Sequence, residues 1–152
     1  MEFSRWETLI NEGDISVLSV VYGCQNWYLS GQDTRYEYRD LRFSDEIQLT
    51  VTVFHEMTES VYEIQFRQIG GHRVLDEHGL LEMWGSKNPK DNCFKVRGHQ
   101  WTHESPLSFE LNTVGGWSYV IASDWDCVEV LTHEDPTVVL VERLTNLKRP
   151  KK

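Results

Sequence analysis

The chain has 152 residues, 39% of them apolar and 26% charged, and its 24 acidic residues against 15 basic ones give a net charge of −9. That length supports one soluble domain with its own core, without disulfides or a structural metal as a prerequisite. Setting aside the four bases Lys148, Arg149, Lys151 and Lys152 leaves 11 bases against 24 acids, a net of −13 for residues 1–147, and a body so acidic repels phosphate backbones and anionic membranes.

No run approaches the roughly 20 apolar residues that cross a bilayer, and MEFSRWETLINEG lacks the basic region and apolar stretch of a signal peptide. A cytoplasmic protein is expected. Cys24, Cys93 and Cys127 are widely spaced and odd in number, which suits buried thiols in a reducing compartment. Residues 1–147 read as a single β-rich domain and 148–152 as a basic, disordered tail.

In chain order, Ser4 and Glu7 form an S-x-x-E capping box, Trp6, Leu9 and Ile10 share a helical face, and Gly13 is a stop signal. A short N-terminal helix is predicted. The period then becomes two: EIQLTVTVF places Ile47, Leu49, Val51 and Val53 opposite Gln48, Thr50 and Thr52, and VYEIQFRQI alternates Tyr62, Ile64 and Phe66 with Glu63, Gln65 and Arg67. The polar HEMTES between them predicts an antiparallel hairpin. Further strands are predicted at 17–22, 35–43, 93–97, 107–111, 117–122, 126–131 and 137–143, about nine in all. LDEHGLLEMW (75–84) fits a short helix or another strand. Gly115-Gly116 and Asp135-Pro136 mark reversals. TVVLVER is apolar on both faces, as a central strand covered on two sides would be. The predicted fold is mainly β, with α+β at the margin: an antiparallel β-sandwich or partly closed barrel.

The chemistry-bearing groups are sparse in pattern. His99 and His103 are four apart but sit in GHQWTHESP, which reads as a loop, and HExxH, HxH and CxxC are absent, so no metal or other cofactor is expected. His72, Asp76, Glu77 and His78 supply material for acid–base chemistry, although Asp76 also suits a helix cap. Nucleophile elbows and phosphate-cradling glycine loops are missing. The reading is non-catalytic.

Six Trp, six Tyr and six Phe are more rings than the apolar strands need. Trp125 lies in ASDWDCVEVLTHEDP, where Asp124, Asp126, Glu129, Glu134 and Asp135 appear without a Lys or Arg. A ring among carboxylates is the composition of a hot spot for a basic protein partner. NWYLSGQDTRYEY, with Trp27, Tyr28, Tyr36 and Tyr38 beside Asp33 and Glu37, is a second aromatic surface of balanced charge.

The run FRQIGGHRVLDEHGLLEMW, Phe66–Trp84, resembles a pattern of small bacterial domains in which a strand leads through His, Arg, Val, Leu, Asp and Glu to a short apolar segment ending in Trp. Through it the chain resembles the immunity proteins of polymorphic or contact-dependent toxin systems. That resemblance spans 19 of the 152 residues and implies a small cytosolic inhibitor that covers a toxin's active site or locks its fold. It carries over no catalytic residue. Two alternatives remain open at this point: a β-barrel enclosing a small apolar ligand, and a metal or acid–base enzyme using His72, Asp76 and His78. Whether the chain is a monomer or a homodimer is also open.

Overall fold

Alternating strands bury one face each, and here they do so against one another. The computed structural model describes residues 1–85 and 89–144, and among these it forms two stacked antiparallel sheets with short helices on the outside of one. The first sheet holds β1 (Glu2–Arg5), β8 (Cys93–Arg97), β9 (Ser118–Ala122), β10 (Asp126–Thr132) and β7 (Ile69–Asp76), in that order. The second holds β11 (Thr137–Arg143), β6 (Ser60–Arg67), β5 (Gln48–His55) and β2 (Ile15–Gly23). A separate ribbon pairs β3 (Asn26–Ser30) with β4 (Arg35–Arg39). The architecture is sandwich-like, not a closed barrel.

The inner faces meet in one core. Leu49, Val51, Val53, Tyr62, Ile64 and Phe66 of β5 and β6 pack against Cys93, Tyr119, Ile121, Val128 and Val130 of the first sheet. The outer face of that sheet carries a second cluster, Phe94, Val96, Val120, Ala122 and Cys127, roofed by Leu80 and Met83. These two come from a 3-10 turn (Glu77–Leu80) and α1 (Leu81–Trp84), so the ambiguous LDEHGLLEMW ends β7 with Leu75 and Asp76 and is helical from 77 to 84. Beside them lie α2 (Gln100–Glu104) and α3 (Pro106–Asn112). No helix among the described residues is long and apolar enough to cross a membrane.

Four predicted segments take a different form or place in the structure. Residues 2–5 form β1, because pairing with β8 and an edge-on contact of Phe3 with Phe94, centroids 5.6 Å apart, outweigh the capping box. LSFEL (107–111) is helix: Phe109 is buried, whereas Leu107 and Leu111 are 68% and 67% exposed, so the apparent alternation matches one buried position per helical turn. GHQWTHESP, predicted as a loop, contains α2. TVVLVER is an edge strand, with Val139, Leu140 and Val141 exposed rather than covered on both sides. β1, β3 and β7 are not among the predicted strands. The tail at 148–152 lies outside the described residues.

Candidate functional site

The residues singled out in sequence fall into three places. Asp124 and Trp125 form the tip between β9 and β10, whose register runs Cys127 to Ala122. Ser123 braces that tip: its Oγ donates to the Asp126 carbonyl at 2.6 Å and accepts from the Trp125 and Asp126 amides at 3.3 and 3.0 Å. Trp125 is 78% exposed, with Asp124 and Asp126 exposed on either side. An open depression of about 290 Å³ adjoins the turn, between Trp84, Pro89, Asn92 and Asp124.

Glu134 and Asp135 are exposed too, but beyond the other end of β10. Six strand steps at about 3.3 Å put them roughly 20 Å away. The six predicted residues therefore do not make one contiguous patch. Asp135 accepts a 2.6 Å hydrogen bond from the Tyr119 hydroxyl. Burial, reinforced by that carboxylate, pushes the Tyr119 phenol pKa up.

Glu129 leaves the predicted surface set altogether, because it is 1% exposed. Its position on β10 shares the face of Cys127 and Leu131, under α2 and α3, and its carboxylate is met from three directions. Arg73, its register partner on β7, donates through Nε and Nη2 to Oε1 at 3.0 and 2.7 Å. His99 Nε2 donates to Oε2 at 2.6 Å, and Ser118 Oγ donates to the same oxygen at 2.6 Å. Burial alone would raise the Glu129 pKa. The hydrogen bond and charge of His99, the charge of Arg73 and the Ser118 hydroxyl outweigh it and hold the carboxyl below its ordinary value. Arg73 also lies over the Trp101 ring at 4.5 Å, and both Trp101 and His99 meet Phe109 edge-on.

Serine, histidine and an acid are thus together, but the order is not that of a nucleophile triad. The carboxylate is central: the imidazole hydrogen-bonds to it rather than to the serine hydroxyl, and Ser118 donates to that same carboxylate, whose lowered pKa makes it a poor base for activating a hydroxyl. Its chemistry is that of an ionic clamp holding α2 and α3 on the sheet.

The other sequence-derived groupings are kept only in part. His72 packs against Tyr22 with the rings tilted and their centroids 5.6 Å apart, Asp76 caps the 3-10 turn by accepting from the Gly79 amide at 3.1 Å, and His78 is exposed with Nδ1 3.8 Å from Asp76. His99 is buried and His103 exposed. Among the described residues no three His, Cys, Asp or Glu side chains are placed to hold a metal. The three cysteines are buried, free thiols, and burial pushes Cys93 up to about 12.

The aromatic ribbon is the third place. In its register Trp27 faces Tyr38 and Leu29 faces Tyr36, so these four share one side, 36%, 55%, 48% and 58% exposed respectively. Asn26, Tyr28, Ser30, Arg35, Glu37 and Arg39 take the other. Comparison of the chain with protein-family models, with curated proteins and with solved structures gives no match.

Proposed function

We propose that the chain is a non-catalytic protein-binding module whose Asp124–Trp125–Asp126 turn engages a basic protein partner, acting as an immunity-type inhibitor of a bacterial toxin. The observation that carries the reading is Trp125: a large ring, 78% exposed, on a turn whose backbone Ser123 fixes and whose neighbours are carboxylates. An indole held outward costs little to order on binding, and the flanking acids attract Lys and Arg of the partner. The depression beside Asp124 offers room for a partner side chain. Glu134 and Asp135, at the far end of β10, contribute to the long-range attraction and not to the same contact.

The enzyme alternative loses its support because His72 lies against Tyr22, and the Asp76–His78 pair, 3.8 Å apart, is exposed, with Asp76 committed to capping the 3-10 turn. The small-ligand alternative loses its own because the positions between the sheets are filled by fully buried side chains such as Val51, Ile64, Phe66 and Ile121.

Capture from lysate of the source organism on immobilised wild-type protein and on Trp125→Ala tests the reading. One basic protein should bind stoichiometrically to the wild type, elute as salt rises and be lost from the variant by an affinity drop of about 30-fold or more. Co-expression with the captured protein should relieve its toxicity. Identical capture by both proteins would remove the turn from the interface, and a captured protein without toxicity would remove the inhibitor role.

A further inference from the structure

The β3–β4 ribbon is an arm. Its neck is fixed: the Gln25 amide donates to the Ser44 carbonyl and the Asp40 amide to the Gln25 carbonyl, both at 2.7 Å, and Trp27 Nε1 donates to the Cys24 carbonyl at 3.0 Å. Phe43 packs directly on Gly23, where an added Cβ would stand 3.3 Å from its ring. An arm anchored in this way leaves Leu29, Tyr36 and Tyr38 about half exposed, and Trp27 about one-third exposed at the neck, instead of folding them onto the core. So many apolar groups on one exposed face mark an interaction surface.

Charge decides what covers it. Residues 26–39 hold Asp33 and Glu37 against Arg35 and Arg39 and are neutral, on a chain of net charge −9. The arm is therefore a part of the molecule that a second acidic copy can approach without strong repulsion. Its tip carries Arg35, exposed and without an ion pair among the described residues, while its base carries the acids Asp45, Glu134 and Glu46, the last also 3.7 Å from Arg67. The base is also apolar, since Tyr22 and Ile47 are each 48% exposed beside a cleft of about 640 Å³.

We propose that two copies of the chain dimerise through their arms, which cross antiparallel with their aromatic faces together, so that Arg35, on the other face at each tip, reaches round the ribbon's end to the acids at the other's base. A two-fold axis satisfies both contacts twice. The four face residues leave about 400 Å² exposed per arm, and Tyr22 and Ile47 bring this to about 600 Å² per copy. The total of about 1,200 Å² is at the lower bound of specific interfaces, which points to a concentration-dependent dimer. This surface is separate from the Trp125 turn, and the dimer stands or falls independently of the proposed inhibitor role.

Sedimentation equilibrium from about 0.1 to about 100 μM should show a monomer–dimer equilibrium. Tyr36→Ser with Tyr38→Ser should raise the dissociation constant at least about tenfold, with far-ultraviolet circular dichroism unchanged. Arg35→Glu, at an exposed position that does not challenge folding, should raise it about threefold at low salt, and Glu46→Lys in the same chain should restore it. A monomer throughout that range, or a dimer indifferent to both the Tyr36/Tyr38 and the Arg35 substitutions, would overturn the proposal.

Discussion

The chain contains two antiparallel hairpins of similar alternation and opposite fate. In β5–β6 the inward residues Leu49, Val51, Val53, Ile64 and Phe66 have no exposed surface, because the first sheet lies across them. In β3–β4 the equivalent face of Trp27, Leu29, Tyr36 and Tyr38 has no second layer and remains one-third to more than one-half exposed. Period two specifies a strand with two unlike faces; what covers the apolar one is decided by topology. β5 and β6 are central in their sheet, whereas β3 and β4 pair only with each other and leave the sandwich at Cys24.

The contrast should be largest in the energetic cost of truncation. Phe66→Ala removes a ring with 0% exposure that touches Trp6 and Tyr119, centroids 6.2 and 6.1 Å away, and should cost about 4 kcal/mol in urea unfolding. A cost below about 1.5 kcal/mol would mean that the sandwich repacks freely at this point.

Next comes the ionic clamp on the outer face of the same sheet. Glu129→Gln leaves Arg73 and His99 without their carboxylate in a buried site and should cost about 3 kcal/mol at neutral pH. Because the Glu129 pKa is depressed in the folded state, its contribution is present above the unfolded value of 4.5 and is lost as the pH falls through the lower folded value. The stability curves of the wild type and of the Glu129→Gln variant should therefore converge below pH 4.5. Parallel curves across that window would show that the loss at Glu129→Gln came from packing and not from charge.

These two positions also mark what sequence can and cannot supply. Phe66 is legible as core from its strict alternation with Gln65 and Arg67. Glu129 reads as a surface acid because carboxylates dominate its stretch, yet its phase is visible: Cys127, Glu129 and Leu131 fall on one side of a strand. A charged residue in phase with apolar ones calls for a buried partner, and Arg73 in GHRVL has the same signature two residues before Leu75. His99 gives no such signal, since its burial depends on α2 folding over the sheet from a segment that reads as loop. Helix α3 is decidable, because Pro106 at its first position is a helix-start signal that outranks the five-residue alternation following it. β1 is not, because its pairing with β8 joins residues 89 to 95 apart in the chain. The Trp125 turn follows from composition alone; the separation of its acids from Glu134 and Asp135 needs the length of β10.

A smaller effect is expected at Ser123→Ala, which removes the hydroxyl that ties the Trp125 turn to Asp126 through one donated and one accepted bond. The backbone bond from the Ser123 amide to the Asp126 carbonyl, 3.3 Å long, survives the change, and the amides it frees are exposed to water. The cost in urea unfolding should be about 1 kcal/mol. A loss of about 3 kcal/mol or more would give the turn a place in the folding core that its exposure does not support.

The smallest effect returns to the arm. Tyr28 is 80% exposed on the ribbon face opposite Trp27 and Tyr38, so the folded chain takes little of its ring from water. Tyr28→Ser keeps the backbone pairing with Glu37 and loses only strand propensity and cross-strand contact, a few tenths of a kcal/mol. Thermal unfolding should change by no more than about 0.5 kcal/mol, roughly a tenth of the Phe66→Ala cost, although the residue removed is as large and sits at the same kind of hairpin position. A loss near that of Phe66→Ala would mean that in solution the arm lies against the sandwich with Tyr28 inward, and the contrast between the two hairpins would disappear.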